Sequence, residues 1–440
     1  MSTKTDLTRS AELFERAQRV LPGGVSRNTV LRSPHPAYAD FGAGCRITDL
    51  DGVSRIDFSN NMASLIHGHA HPAITAAVTE QLARGTAFMM ATEAEIEFAE
   101  HLCGRCESFE KLRFVNSGTE AIMVALKAAR AFTGRAKIAK VEGAYHGGYD
   151  YAEVSQAPTP ETWGSVGEPN SVPLAHGTPR SALDDVVVLP FNDTQRAIDR
   201  LEANKDDLAC ILLDLMPHRV GLNPAEPEFI RAIGAWAERN GVLIVLDEVI
   251  TFRSEFGGLQ QRYDIRPDLT AIGKIIGGGF PIGALAGRSD VIGVMNPAGG
   301  NYRFPHSGTF SANPISTTAG LAAMRAFDTA EVDRLAGLAR RAIDGIHTAA
   351  RETGASACVT GTGSMFRVHM KPTPPRNYRE AFLTQEESAR LKTLLDHLFD
   401  SGFIMINTCT ATLSTPMGEA EVDALIGAMR SGFETIAAMP

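Results

Sequence analysis

The feature that most constrains the fold of this chain is a succession of short apolar runs between residues 112 and 288. The runs read KLRFV, AKIAKVE, DVVVLPF, LACILLDLM, GVLIVLDEV and LTAIGK, and most lack polar–apolar alternation. Such strands are typical of parallel sheets that are covered on both faces. Helical patterns lie between the runs, for example over residues 120–132 and 228–239. The succession predicts an α/β fold with a large, doubly wound, mostly parallel sheet.

The segments on either side of this region predict further structure. An amphipathic helical pattern near the N-terminus ends at Pro22-Gly23-Gly24. The last hundred or so residues mix the short strands SMFRVHM, GFIMI and TATLST with helices. A chain of 440 residues exceeds the usual size of a single core, so we expect a second, smaller α+β domain. Residues 157–181 are rich in Pro, Gly and Ser and predict either a lid or rim loop or a disordered segment.

Composition and charge argue against several classes of protein. The net charge of −9, from 42 basic and 51 acidic residues, disfavours binding to a nucleic-acid backbone. No apolar run has the length of a membrane span or resembles a signal peptide. Six cysteines do not make a disulfide scaffold here, and Cys103 and Cys106 form a lone CxxC motif without the second pair of a zinc site. We expect a cytoplasmic protein with no metal and no nucleic-acid or membrane partner.

Two polar motifs follow predicted strands, where α/β sheets bind ligands. Asp247 emerges at the end of GVLIVL, and a carboxylate there needs a partner because a buried unpaired charge is costly. It fits either a structural ion pair or cap, or a carboxylate that faces a protonated cofactor ring. Ser117, Gly118 and Thr119 lie between the run LRFV and a helical pattern. The free N–H groups of a helix start predict either an ordinary N-cap or a phosphate site at this position.

An aromatic residue and a lysine complete this set of motifs. Tyr145, which is followed by His146, comes after the run AKIAKVE and is suited to stack on a flat heterocycle or to pack at a turn. Lys274 is the one charged residue of TAIGKIIGGGFPIG, although lysine is rarely buried without a partner. A lysine amine, a strand-end carboxylate, a phosphate-ready helix start and an aromatic ring together suit pyridoxal 5′-phosphate. Its aldehyde forms a Schiff base with lysine, and its ring nitrogen needs a carboxylate, here Asp247.

The ordered motifs NSGTEA, YHGGYD, LDEVITFR, AIGKIIGGGFPIGALAGR and SGTFSANP resemble those of the class III pyridoxal-phosphate aminotransferases. Within that family, the chain is most similar to the branch of glutamate-1-semialdehyde aminomutases and β-amino-acid aminotransferases, over essentially its whole length. The resemblance implies a fold-type I homodimer with active sites at the subunit interface. It also implies an N-terminal segment 1–65 that joins the small domain and the dimer interface, a large cofactor-binding domain 66–325 and a C-terminal small domain 326–440.

The same resemblance assigns roles to the residues of these motifs. Lys274 forms the Schiff base and then moves the proton, Asp247 pairs with the pyridinium nitrogen, and Val249 and Tyr145 sandwich the ring. His146 lines the site. Phosphate contacts are assigned to Ser117, Gly118, Thr119 and, from the other subunit, Thr309.

For the reaction, the resemblance implies an aminotransferase that moves an amino group from a carboxylate-bearing donor, such as a β-amino acid, to an oxo acid in a ping-pong mechanism. Arg27, in PGGVSRNTV, matches the segment that carries a carboxylate-binding arginine, whose guanidinium grips a carboxylate with two hydrogen bonds. Two departures make specificity for β-aromatic amino acids doubtful. DLMPHR places Arg219 where the family usually has asparagine, and Thr408 lies about where β-phenylalanine-type relatives have a second arginine. Our hypothesis is that Arg219 replaces that cation for the oxo-acid acceptor.

Alternatives to an aminotransferase stay open at this point. An aminomutase of the glutamate-1-semialdehyde type, a racemase or a lyase would use the same Lys274 and Asp247, because the first deprotonation is common to all. His67 and His69, in HGHAHP, form an HxH pair that on a strand would point both imidazoles to one face, as in metal-dependent hydrolases. The further carboxylate and histidine ligands of such a site do not occur in suitable strand-end contexts.

Overall fold

The computed structural model describes residues 8–298 and 302–439, which form three β-sheets with surrounding helices. The strands are β1 (Ala39–Ala43), β2 (Arg46–Asp49), β3 (Ser54–Asp57), β4 (Lys111–Val115), β5 (Lys137–Val141), β6 (Val186–Leu189), β7 (Leu208–Leu213), β8 (Leu243–Asp247), β9 (Leu269–Gly273), β10 (Gly283–Gly287), β11 (Cys358–Thr360), β12 (Met365–His369), β13 (Phe403–Ile404) and β14 (Thr410–Thr412).

The α-helical segments are α1 (Thr8–Gln18), α2 (Asn60–Ala63), α3 (Pro72–Arg84), α4 (Glu93–Cys103), α5 (Gly118–Thr133), α6 (Asp150–Glu153), α7 (Arg180–Asp184), α8 (Thr194–Glu202), α9 (Pro227–Asn240), α10 (Ser289–Ile292), α11 (Pro314–Ala326), α12 (Thr329–Thr353), α13 (Tyr378–Ala381), α14 (Gln385–Asp400) and α15 (Glu419–Ala437). Short 3₁₀ helices lie at Pro22–Gly24, Asn28–Val30, His218–Val220, Thr251–Ser254, Leu259–Arg262, Lys274–Gly277 and Gly293–Met295.

The largest sheet has seven strands in the order β4-β10-β9-β8-β7-β5-β6. The strands from β9 to β6 pair in parallel. Strand β10 is the exception, since it is antiparallel to both of its neighbours, β4 and β9. Every residue of β6, β7, β8 and β9 is buried, as their mostly apolar sequences predict. The predicted mostly parallel sheet is confirmed.

Alternate side chains of β7 enter two different hydrophobic cores. Cys210 and Leu212 pack in a core with residues of α5, whereas Ile211 and Leu213 pack in a core with residues of α9. Because successive side chains of a strand point to opposite faces, helices cover both faces of the sheet. This is the doubly wound arrangement that the sequence predicts, and it leaves the edge where the parallel strands end free for ligands.

The N- and C-terminal parts of the chain meet in a smaller sheet. Its order is β1-β2-β3-β13, in which β13 pairs in parallel with β3. A three-stranded sheet β11-β12-β14 lies beside the long helix α12, which packs against α15. The predicted smaller α+β part is confirmed. The sequence did not predict β1–β3, which are short and partly exposed. None of the described helices is both long enough and apolar enough to cross a bilayer.

The HxH pair does not lie on a strand, so the arrangement on which the metal-dependent hydrolase alternative depended is not present. His67 is in a turn, and His69 forms only an isolated bridge with Gly44. His67 Nε2 lies 2.8 Å from the carbonyl oxygen of Ala323, whereas His69 Nε2 lies 2.9 Å from Asp57 Oδ2. The two imidazoles therefore serve different partners. Across residues 8–298 and 302–439, no group of three or more His, Cys, Asp or Glu side chains could hold a metal ion.

The structure also shows the surroundings of the CxxC motif and of the 157–181 loop. Helix α4 ends at Cys103, Cys106 is buried beyond it, and both are free thiols. The loop is tied to the C-terminal part of the chain through Arg379, which donates hydrogen bonds to the carbonyl oxygens of residues 163–165.

Candidate active site

A cavity of about 360 Å³ opens where the strands of the large sheet end. Eight of the residues predicted from the sequence line it: Ser117, Gly118, Thr119, Tyr145, His146, Asp247, Val249 and Lys274. They lie at the ends of β4, β5, β8 and β9 or in the segments just after them, so one edge of the sheet brings together segments that are far apart in sequence.

The start of α5 forms one wall of this cavity. Ser117 is the N-cap, and its Oγ accepts a hydrogen bond of 3.1 Å from the backbone N–H of Glu120. The helix geometry leaves the N–H groups of Gly118 and Thr119 without intrahelical partners. A Cβ atom on Gly118 would lie 2.6 Å from Cγ1 of Val249, so only glycine lets the two elements approach this closely. The motif is a helix cap, and the free N–H donors beside it are of the kind that can bind an anion.

Asp247 and His146 form a buried pair where β8 ends. Asp247 Oδ2 lies 2.8 Å from His146 Nδ1, and Oδ1 accepts a hydrogen bond of 3.0 Å from the backbone N–H of Val249. Burial lowers the pKa of His146, which favours the neutral ring. Because a carboxylate only accepts hydrogen bonds, Nδ1 carries the proton and Nε2, which is buried, has no hydrogen-bond partner. The pair fixes the orientation of the carboxylate at the cavity wall.

Lys274 follows the last residue of β9 and has a φ of +50°, a left-handed conformation that is strained for a residue with a Cβ. Burial is the main cause that lowers the pKa of its amine, while the negative charges of Asp247 and Asp214 oppose this effect. A lowered pKa increases the fraction of neutral amine, which is the nucleophilic form. The position therefore suits a lysine that reacts with an aldehyde.

Asp214 is a cavity residue that the sequence analysis did not single out. It follows β7, is buried, and its carboxylate accepts a hydrogen bond of 2.9 Å from the backbone N–H of Met216. Burial, and then the negative charge of Asp247, raise the pKa of Asp214 well above its usual value. Its position directly after an apolar run was the available signal. Asn61 and Phe280 also line the cavity. Phe280 lies in the AIGKIIGGGFPIGALAGR motif without having been singled out, and no sequence motif marked Asn61.

The predicted substrate-binding arginines lie outside this cavity. Arg27 lines a neighbouring cavity of about 960 Å³, and its Nη1 donates a hydrogen bond of 2.6 Å to Asn61 Oδ1. Asn61 lines both cavities and so connects them. Arg219 lies in a 3₁₀ helix after β7, and its buried Nε has no hydrogen-bond partner.

Two further residues of the sequence analysis also lie away from the cofactor-sized cavity. Thr309 is exposed in a turn, and within a single chain it does not contribute to the cavity wall. Thr408 Oγ1 lies 3.1 Å from His218 Nε2, so this threonine contacts the histidine that precedes Arg219.

Comparisons with known proteins agree with this geometry. The family described as Aminotransferase class-III matches residues 31–416 of the chain. A glutamate-1-semialdehyde 2,1-aminomutase from Methanothermobacter thermautotrophicus is 39% identical over 85% of this chain and 86% of its own length. An omega-transaminase from Sphaerobacter thermophilus is 47% identical, with a TM-score of 0.95 over 98% of both chains. A β-phenylalanine aminotransferase from Variovorax paradoxus is 31% identical, with a TM-score of 0.84 over 96% of this chain and 93% of its own.

Proposed function

The chain belongs to the class III aminotransferase family, and from this premise we propose that it moves an amino group from a carboxylate-bearing amine to an oxo acid. Pyridoxal 5′-phosphate is its cofactor. The observation that carries the proposal is that one cavity joins the amine of Lys274, the carboxylate of Asp247 and the start of α5. The residues fit the cofactor because Gly118 leaves room at an anion-binding helix start and Nε2 of His146 is an unpaired buried polar atom.

When bound, the cofactor supplies an aldehyde and an electron-withdrawing ring that stabilises negative charge at the substrate carbon. The hydroxyl of Ser117 and the N–H groups of Gly118 and Thr119 would bind its phosphate. Asp247, oriented by His146, would keep the proton on the ring nitrogen.

The remaining cavity residues would orient the cofactor and move protons. Tyr145 and Val249 line the cavity and would cover the two faces of the ring. The neutral amine of Lys274 would remove the proton from the substrate carbon and return it one position away. Its proximity to two carboxylates gives the protonated amine a stabilising environment after that step.

Two arginines are proposed to bind the carboxylates of the two substrates. Arg27, at the junction with Asn61, would bind the carboxylate of the amino donor. Arg219 would bind the oxo-acid acceptor, because it lies close enough to Tyr145, at the cavity wall, for its positive charge to oppose the rise in the pKa of that tyrosine caused by burial. Arg219→Ala should then raise the KM for the acceptor, and an unchanged KM would refute this role.

We further propose a cytoplasmic homodimer in which Thr309 contacts the phosphate bound by the partner. Support comes from large apolar residues that are exposed near this turn, among them Met89, Met90 and Phe310. The turn and this apolar segment are joined by a hydrogen bond of 2.8 Å from Asn313 Nδ2 to the carbonyl oxygen of Thr86. Contiguous exposed apolar surface is typical of a protein–protein interface.

The second candidate function is that of an aminomutase, which the 39% identity to a glutamate-1-semialdehyde aminomutase favours. An aminomutase needs no second substrate, because it moves the amine within one molecule. A racemase or a lyase would share the first proton transfer by Lys274. Incubating the enzyme with an amine, with and without an oxo acid, separates these reactions, since only an aminotransferase needs the oxo acid for continued turnover.

The deciding experiment follows the cofactor absorbance of the holoenzyme after a carboxylate-bearing amine is added. An aminotransferase converts the cofactor to its pyridoxamine form, and an oxo acid such as pyruvate restores the starting spectrum. Lys274→Ala should fold, bind the cofactor without covalent attachment and lose turnover. Turnover of this variant near the wild-type rate, or the absence of a borohydride-stabilised adduct at position 274 in the wild type, would refute the proposal.

A further inference from the structure

The turn α2 (Asn60–Ala63) has an unusual backbone. All four residues have a positive φ, between +46° and +70°. Asn61, with φ and ψ of 48° and 57°, and Met62, with 57° and 48°, adopt the angles of a left-handed helix. This conformation is unfavourable for L-residues, and asparagine tolerates it better than most. Such strain persists only where the surroundings impose it, and it is frequent at functional sites.

Contacts from distant parts of the chain impose this turn. The buried Asn60 donates its backbone N–H to Asp57 Oδ1 at 2.9 Å and its side-chain Nδ2 to the carbonyl oxygen of Thr412 at 2.7 Å. The carbonyl oxygen of Ala63 accepts a hydrogen bond of 3.3 Å from the buried Arg253. The turn is thus fixed at both ends while Asn61, in its middle, stays exposed.

The turn places the amide of Asn61 between the two cavities. Its Nδ2 donates a hydrogen bond of 3.0 Å to Ser64 Oγ, which directs Oδ1 toward Arg27. Oδ1 then accepts the hydrogen bond of 2.6 Å from Arg27 Nη1. Because the amide oxygen of Asn61 carries no charge, this contact places no counter-charge beside the guanidinium, and four of its five N–H donors remain for a ligand.

We propose that Asn61 is a positioning residue that sets substrate specificity: it holds the guanidinium of Arg27 at the junction of the two cavities, where the enzyme selects amines that carry a carboxylate. This proposal rests on the function proposed for Arg27. The strained turn explains why the contact is available, since it directs an exposed amide toward the 3₁₀ helix that follows Arg27.

The test compares holoenzyme variants on two amines that differ only in a carboxylate, 3-aminohexanoate and 2-aminopentane. Asn61→Gly keeps the positive φ and removes the amide, whereas Asn61→Asp adds a charge that neutralises Arg27. Loss of one hydrogen bond that orients a charged group should lower the ratio of kcat/KM for the two amines about tenfold, and Asn61→Asp should lower it further. The effect should appear as a higher KM for the carboxylate-bearing amine. Equal losses for both amines would show a merely structural role and overturn the proposal.

A double variant identifies the residue through which Asn61 acts. In an Arg27→Ala background, Asn61→Gly should have no further effect on the ratio, and a full additional loss would overturn the proposal. Calorimetric binding of hexanoate to the holoenzyme provides a readout without turnover, and Asn61→Gly should weaken this binding about tenfold. If no amine changes the cofactor spectrum, the proposed transamination fails, while hexanoate binding still decides whether Asn61 acts through Arg27.

Discussion

Replacing Arg379 with alanine removes several hydrogen bonds between the loop of residues 157–181 and the rest of the protein. The guanidinium forms two hydrogen bonds of 2.9 Å with the carboxylate of Glu142. Nη1 and Nη2 of the same guanidinium also donate to the carbonyl oxygens of residues 163–165 at distances of 2.9 to 3.0 Å. The side chain of Glu142 is only 6% exposed, so the variant leaves a buried carboxylate without its partner.

The expected cost follows from this burial. Removing one partner of a buried ion pair destabilises a protein by about 3–5 kcal/mol, and we expect a loss in this range for Arg379→Ala. Arg376→Ala is a matched control next to the same helix, α13. Its partner Glu380 lies 3.2 Å away, but the two side chains are 72% and 39% exposed. An exposed pair of this spacing contributes roughly 0.3–0.5 kcal/mol.

The assay is urea unfolding of the holoenzyme, followed by circular dichroism for the whole protein and by tryptophan fluorescence for the loop. The chain has two tryptophans, so Trp236→Phe leaves Trp163 as a local reporter. Arg379 lies 5.0 Å from the ring of Trp163, and its loss should increase quenching of that residue by acrylamide. A loss of stability no larger than that of Arg376→Ala, with Trp163 equally protected, would refute the reasoning.

Two other substitutions test the site and its surroundings. Gly118→Ala forces Val249 to move, because the new Cβ would lie 2.6 Å from its Cγ1, and such overpacking should weaken cofactor binding roughly 10- to 100-fold in a titration of the apoenzyme. Gly427→Ala, where a Cβ meets nothing within 4 Å, is the control that should leave binding unchanged. For Lys140, burial lowers the pKa from 10.5 to about 7, so the unfolded chain binds more protons between these values. The buried positive charge of Lys140 therefore destabilises the fold fully below pH 7, and this destabilisation declines as the pH rises. The free energy of unfolding of the wild type, relative to that of Lys140→Met, should increase by roughly 1.4 kcal/mol per pH unit from about pH 7 to 10. A pH-independent difference between the two proteins would contradict this.

Much of the fold could be predicted from the sequence because buried parallel strands have a clear signature. The runs of β5–β9 are apolar throughout most of their length, and Asp247 and Lys274 were recognisable as charged residues in apolar surroundings. Strand β10 was not predicted. Its sequence, GALAG, has glycine at both ends and no β-branched residue, so its pairing depends on the neighbouring strands rather than on its own propensity.

The residues that the sequence did not reveal depend on long-range contacts. The left-handed turn that carries Asn61 is held by Thr412 and Arg253, which are far from it in the chain, and no local motif encodes this. The burial of Asp214 was implied by the run LACILLDLM, but its proximity to Asp247 required the order of strands in the sheet.

The antiparallel strand β10 determines how far apart the two proposed anchor points of the cofactor lie. Gly283 pairs with Val115 on one side and with Gly273 on the other, just before the turn that we propose to bind the phosphate and before Lys274, the proposed reactive lysine. Two inter-strand spacings, roughly 10 Å in total, therefore separate the two segments, and main-chain hydrogen bonds set this distance. Side chains around the cavity can consequently change, and with them the substrate specificity, while the distance between the two proposed anchors stays the same.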